Sequence, residues 1–107
     1  MTSISFEYEG KNYKLEYNRS TVIALEKKGF DIQAAETKPV TTLYLLWEGA
    51  FEKNHSNVPI EKRDEILKAL DDKGSLLETL INMYAEPINV LMEDNGEKKV
   101  KWECDKR

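Results

Sequence analysis

The change of hydrophobic period at Asn18 constrains this chain more than any other feature. Before it, apolar residues recur at every second position: Ile4, Phe6 and Tyr8, then Tyr13, Leu15 and Tyr17. That spacing places side chains on one face of a strand. Between the two runs, Glu9-Gly10-Lys11-Asn12 reads as a tight turn, with Gly10 and Asn12 tolerant of positive φ. The chain therefore opens with a predicted hairpin. Two strands alone are marginal in water, so the aromatic-rich face is expected to rest on helices, not to serve as a ligand platform. The outer edges are expected to stay open and able to pair with another copy.

From Asn18 to about Asp94 the spacing is helical. Asn18 is the expected N-cap of RSTVIALEKK, and Gly29 its stop, with Phe30 folding back onto Leu25 and Lys27 and Lys28 at the negative end of the helix dipole. A short polar connector follows, with one helical turn around Gln33–Glu36. Pro39 suits a first helical position, and the helix it opens is expected to reach about Asn54. Val40, Leu43, Tyr44, Trp47, Ala50 and Phe51 form its core stripe. Leu45 and Leu46 fall off that stripe on roughly opposite flanks, so each has two readings, central burial or contact with a partner.

Pro59 is expected to open a third helix with Ile60, Ile66, Leu67 and Leu70 inward and EKRDE as a solvated face. Lys73-Gly74 reads as its stop, and Ser75-Leu76-Leu77-Glu78 as a capping box for a fourth. In that last helix Leu77, Leu80, Ile81, Tyr84, Ile88 and Leu91 form the expected core line, and Pro87 is expected to kink or break it. A second set, Leu76, Met83 and Val90, recurs every seven residues along the flank. It suits a groove or a docking helix, or else the side of one wide buried arc. The fold class is therefore α+β: an N-terminal β-hairpin on a bundle of about four helices over residues 1–92, then a charged tail over 93–107. Within that tail Asn95-Gly96 marks a turn, Val100 and Trp102 alternate as in a strand, and Trp102 is a candidate anchor for a partner.

Composition removes several functions. The net charge is −4, and the two halves of the chain, divided after Lys53, carry −1 and −3. Neither half offers the basic patch that phosphate binding needs, so nucleic acid is an unsuitable partner. Cys104 is the single cysteine and His55 the single histidine, so no metal site and no cofactor are expected, and His55 reads as a surface loop residue. No apolar run approaches the roughly 20 residues of a membrane span, and MTSISFEYEG carries acids where a signal peptide carries lysines. Glu61, Asp64 and Glu65 are interleaved with Lys62 and Arg63 and have no nucleophile beside them. The expected chemistry is binding, not catalysis.

A family resemblance extends this. The hairpin FxYEGKxYxLxY, the helix end LEKKGFD and the Pro-initiated helix running through AFEKNH resemble the small tail assembly chaperones of long-tailed bacteriophages, particularly those of Gram-positive hosts. The likeness covers about residues 4 to 92. It implies a non-enzymatic protein of the host cytoplasm that binds the tape-measure protein, with the tail tube protein as a further partner, and that self-associates and is absent from the mature virion. Leu45, Leu46, Leu76, Met83, Val90 and Trp102 are the candidate contact residues. Two other readings stand beside it. One is a structural virion component such as a head–tail completion or minor tail protein. The other is a host-directed regulatory binding protein.

Overall fold

Two residues close the hairpin. In a computed structural model, described over residues 2–92 and 103, strand β1 (Ile4–Tyr8) pairs antiparallel with β2 (Lys11–Leu15), Phe6 opposite Tyr13 and Tyr8 opposite Lys11. Glu9 (φ 51°) and Gly10 (φ 78°) both adopt positive φ, the tight two-residue turn whose twist matches that of the strands. Asn12 is therefore not a turn residue; it lies within β2 opposite Glu7. Trp102, Val100 and the Asn95-Gly96 turn lie outside the described residues.

Helix α1 (Arg19–Lys27) has both ends that its sequence specifies. Asn18 Oδ1 accepts from the Thr21 amide at 2.9 Å, and Thr21 Oγ1 accepts from the Asn18 amide at 2.8 Å. At the other end Gly29 takes φ 93°. Its amide donates to the Glu26 carbonyl at 2.9 Å, and the Phe30 amide to that of Leu25 at 3.1 Å, which is the Schellman arrangement. Leu25 and Phe30 are both buried. A 3₁₀ turn, Ile32–Ala35, then leads to α2 (Pro39–Ala50), with Pro39 in its first turn.

Three helical expectations change. Helix α2 ends at Ala50 and residues 51–54 form turns, so it falls short of Asn54. Its Val40 and Tyr44 are exposed, while Thr42 and Leu46 are buried. An all-round apolar helix does not choose its inward face by period alone; its neighbours choose it. In α3 (Ile60–Ala69), Ile60 is exposed and Arg63 is buried at 5% exposure, so EKRDE is not uniformly solvated.

Helix α4 (Lys73–Met92) begins before the expected Ser75 cap. Asp72 Oδ1 accepts from the Ser75 amide at 3.2 Å and Oδ2 from its hydroxyl at 2.8 Å. A carboxylate is favoured at the positive helix end, so Asp72 caps and Lys73-Gly74 become the first turn. The helix continues through Pro87, whose ring is buried. Its buried arc is Leu76, Leu80, Met83, Tyr84 and Pro87; Leu77 and Ile81 are half-buried, and Ile88 and Leu91 are exposed. The inward face is thus rotated towards the seven-residue set by roughly 65°.

The four helices and the hairpin share one core whose most enclosed side chains are Trp47, Phe51, Leu15, Leu46, Ile66, Leu80 and Met83. The hairpin joins it through Phe6 stacked on Trp47 (6.0 Å), Tyr13 edge-on to Phe51 (6.1 Å) and Tyr17, which meets Tyr84 edge-on at 6.0 Å. The aromatic face of the strands is core, as its alternation implies.

Candidate protein interface

The candidate contact residues separate into buried and accessible groups. Leu46, Met83 and Leu76 are enclosed by the chain itself, at 0%, 1% and 9% exposure. Of their two readings, burial holds, because α2 is central and α4 turns its seven-residue flank inward. Leu45 is half-buried and lines a groove of 520 Å³ between the end of α1, α2 and the start of α3. Val90 is exposed at 57%.

Val90 belongs to a patch that the expected core line does not anticipate. Ile88, Val90, Leu91 and Met92 are all exposed, Met92 at 77%. At about 100° per residue, Val90 faces nearly opposite Ile88, so the exposed apolar side chains of this last turn lie on more than one of its sides. Among the described residues these four apolar side chains at one helix end are therefore exposed.

The helix carrying this patch is fixed at both the strand and the first helix. Glu86 accepts the Thr2 amide through both carboxylate oxygens, at 2.7 and 3.1 Å, which holds its carboxyl below the usual range. Tyr84 packs against Phe30 at 5.1 Å, and burial together with Glu26 pushes its phenol up to about 12.

The hairpin edges differ. Lys14 donates its amide to His55 Nε2 at 3.1 Å, and its carbonyl accepts from Asn54 Nδ2 at 3.0 Å. The outer edge of β2 is therefore closed at Lys14, a correction to the expectation of two open edges. His55 also tilts against Tyr13 at 5.1 Å and donates its own amide to the Phe51 carbonyl. It joins hairpin to helix and is not merely a loop residue.

Arg63 organises the chain between α2 and α3. Its Nε donates to the Val58 carbonyl (2.9 Å), Nη1 to the Glu48 carbonyl (2.8 Å) and to Glu52 Oε1 (3.3 Å), and Nη2 to the Ser56 carbonyl (3.1 Å). The carboxylate oxygens of Glu48 have no hydrogen bond, and burial raises the Glu48 pKa against the lowering effect of Arg63. These groups hold a loop in place and present no reacting geometry. Among the described residues no group of three or more His, Cys, Asp or Glu side chains is placed to hold a metal ion, and no helix is long and apolar enough to cross a membrane.

A family described as a domain of unknown function, DUF5055, matches residues 1–105. The chain belongs to this family. No curated protein and no solved structure matches it.

Sequence reasoning missed Arg63 and the pair Asn54-His55. Arg63 had a legible signal: it lies three residues before Ile66, four before Leu67 and seven before Leu70, on the same helical face. The Lys14 contacts join residues some forty positions apart and leave no local pattern.

Proposed function

We propose that this chain is a non-enzymatic tail assembly chaperone of a long-tailed phage or prophage, binding the tape-measure protein and keeping it soluble while the tail tube assembles. The exposed apolar turn Ile88–Met92 supports the reading. A long helical client offers apolar stripes along its length, and a helix end with apolar side chains on several sides can seat against such a stripe in more than one orientation. The mild negative charge helps keep a coated client in solution. Several copies on one client, a host-cytoplasmic location and absence from the finished particle follow from that role.

Co-expression with the tape-measure protein tests it. The tape-measure protein is expected in the soluble fraction with the parent chain and in the pellet with Val90→Asp/Met92→Asp. A client that pellets equally with the parent chain overturns the reading. Recovery of this chain in purified virions favours a structural component instead.

A further inference from the structure

The outer edge of β1 is built differently from that of β2. Because the amide and carbonyl of Lys14 bond His55 and Asn54, away from β1, Lys14 and Ser5 form a pair that exchanges no ladder hydrogen bonds. Ser5, and Glu7 two residues on, therefore turn their amides and carbonyls outward. Among the described residues no backbone group pairs with them. Such an edge is a template for a further strand. Beside it runs a groove of 300 Å³, lined by Ile4, Ser5 and Phe6 on one side and by Leu70, Leu76 and Thr79 on the other. The charges on the solvent face of the hairpin narrow the choice of strand. Lys14 lies opposite Ser5 and Glu7 opposite Asn12, and all four residues are exposed. Among the described residues neither Lys14 nor Glu7 makes an ion pair.

We propose that a second copy of this chain fills the edge, β1 pairing antiparallel with the β1 of that copy about a two-fold axis at Phe6. The outward groups of Ser5 then meet those of the second copy's Glu7, and the reverse, so both residues are satisfied in each chain. Charge selects this register. An axis at Glu7 would set the two Glu7 carboxylates opposite each other, which is unfavourable. An axis at Ser5 would leave the lysines of the two chains in one row, Lys14 and Lys14 across a pair of serines. With the axis at Phe6, each row across the four strands reads Lys14, Ser5, Glu7, Asn12. One base and one acid flank a small serine, about 10 Å apart at two strand spacings, within the reach of two long side chains. Cross-strand partners share a face, so on the inner side the second copy's Phe6 meets Phe6 and its Tyr8 comes beside Ile4, where the groove gives room. Two sheets of two strands, marginal by themselves, become one of four. Strand pairing with few buried side chains makes a small, reversible interface. The pairing involves no client, so it and the chaperone reading can fail separately.

Sedimentation equilibrium of the full chain tests this. The parent should form a dimer with a Kd below about 1 mM, and the amides of Ser5 and Glu7 should gain protection from hydrogen exchange as concentration rises. Ser5→Pro removes an amide that takes no part in the β1–β2 ladder, a substitution that edge strands accept, and should raise the Kd at least about tenfold. Lys14→Glu and Glu7→Lys should each raise it about threefold or more, because every contact occurs twice, and the double reversal should restore it. These two side chains are exposed, so the reversals keep the test open where Ser5→Pro fails to fold. A parent that stays monomeric at about 1 mM overturns the proposal. So does a dimer whose Kd is unmoved by the charge reversals or by a folded Ser5→Pro, or protection of Ser5 and Glu7 that is independent of concentration.

Discussion

The guanidinium of Arg63 donates to the backbone carbonyl of Glu48 at 2.8 Å but stands 3.9 Å from the carboxylate of the same residue. Its charge is engaged more closely by Glu52, at 3.3 Å. One buried cation thus serves two carboxylates, and the more buried of the two goes without a hydrogen bond. Arg63 closes the 56–63 corner through its carbonyl contacts, and Glu48 bears the cost of burial.

Replacing Arg63 by Met should therefore destabilise the fold by about 3 kcal/mol or more, because it leaves buried carbonyls and a buried carboxylate without their cation. Arg63→Lys keeps the charge but cannot reproduce the fork, and should fall between the two. Urea unfolding midpoints at constant m-value would rank the three chains. A Met variant within experimental error of the parent would remove Arg63 from its organising role.

Glu48 makes the pH dependence informative. Its folded-state pKa is raised above the ordinary 4.5, chiefly by burial. The folded form then binds the proton more tightly than the unfolded chain, so this group costs stability as pH rises above 4.5 towards its folded value. Glu16, Glu65, Asp72 and Glu86 are held below their ordinary values and act the other way, adding stability that is lost as pH falls through their folded values. Glu48→Gln isolates the first effect: its stability relative to the parent should improve between about pH 4 and about pH 7. A pH-independent difference would show that the carboxylate is not the source.

Two glycines meet the region of Leu25 for opposite reasons. At Gly29 a new Cβ finds open space, but φ is 93°, so Gly29→Ala should cost about 1–2 kcal/mol through backbone strain alone. At Gly49 a Cβ would sit 3.0 Å from both Cδ atoms of Leu25, so Gly49→Ala should cost about 1–3 kcal/mol through overpacking. Shortening Leu25 to Ala should relieve the second penalty and not the first. A double-mutant cycle by thermal unfolding reads the difference; equal coupling at both glycines would contradict it.

The cap at Asn18 should behave additively with these. Asn18→Ala removes the acceptor of the Thr21 amide and should lower stability by about 1 kcal/mol. Circular dichroism during guanidinium unfolding would show the shift, and no shift would mean the box contributes nothing beyond the packing of Val22 and Leu25.

The exposed turn at the end of α4 allows function to be separated from stability. Val90→Asp and Met92→Asp alter side chains that face solvent, so unfolding midpoints should move by no more than about 0.5 kcal/mol. Client binding, followed by co-sedimentation, should be lost. A large stability change would instead mean that this turn is covered within the molecule.

The signals that were legible in the sequence were local. The alternation around Gly10, the Asn18 cap, the Leu25–Phe30 return over Gly29 and the proline opening α2 each depend on residues within a few positions, and backbone sterics and short hydrogen bonds decide them regardless of the rest of the chain. Tertiary structure decided which way each helix faces. Helices α2 and α4 are apolar over more than half their circumference, so Leu46, Leu76 and Met83 could go inward, while Val40, Ile88 and Leu91 were left in water, only once neighbouring elements had been placed. The Arg63 knot and the closure of Lys14 by Asn54 and His55 likewise depend on groups brought together from distant positions. Periodicity measures how much apolar surface a helix has; only the packing of the other elements determines where that surface is covered.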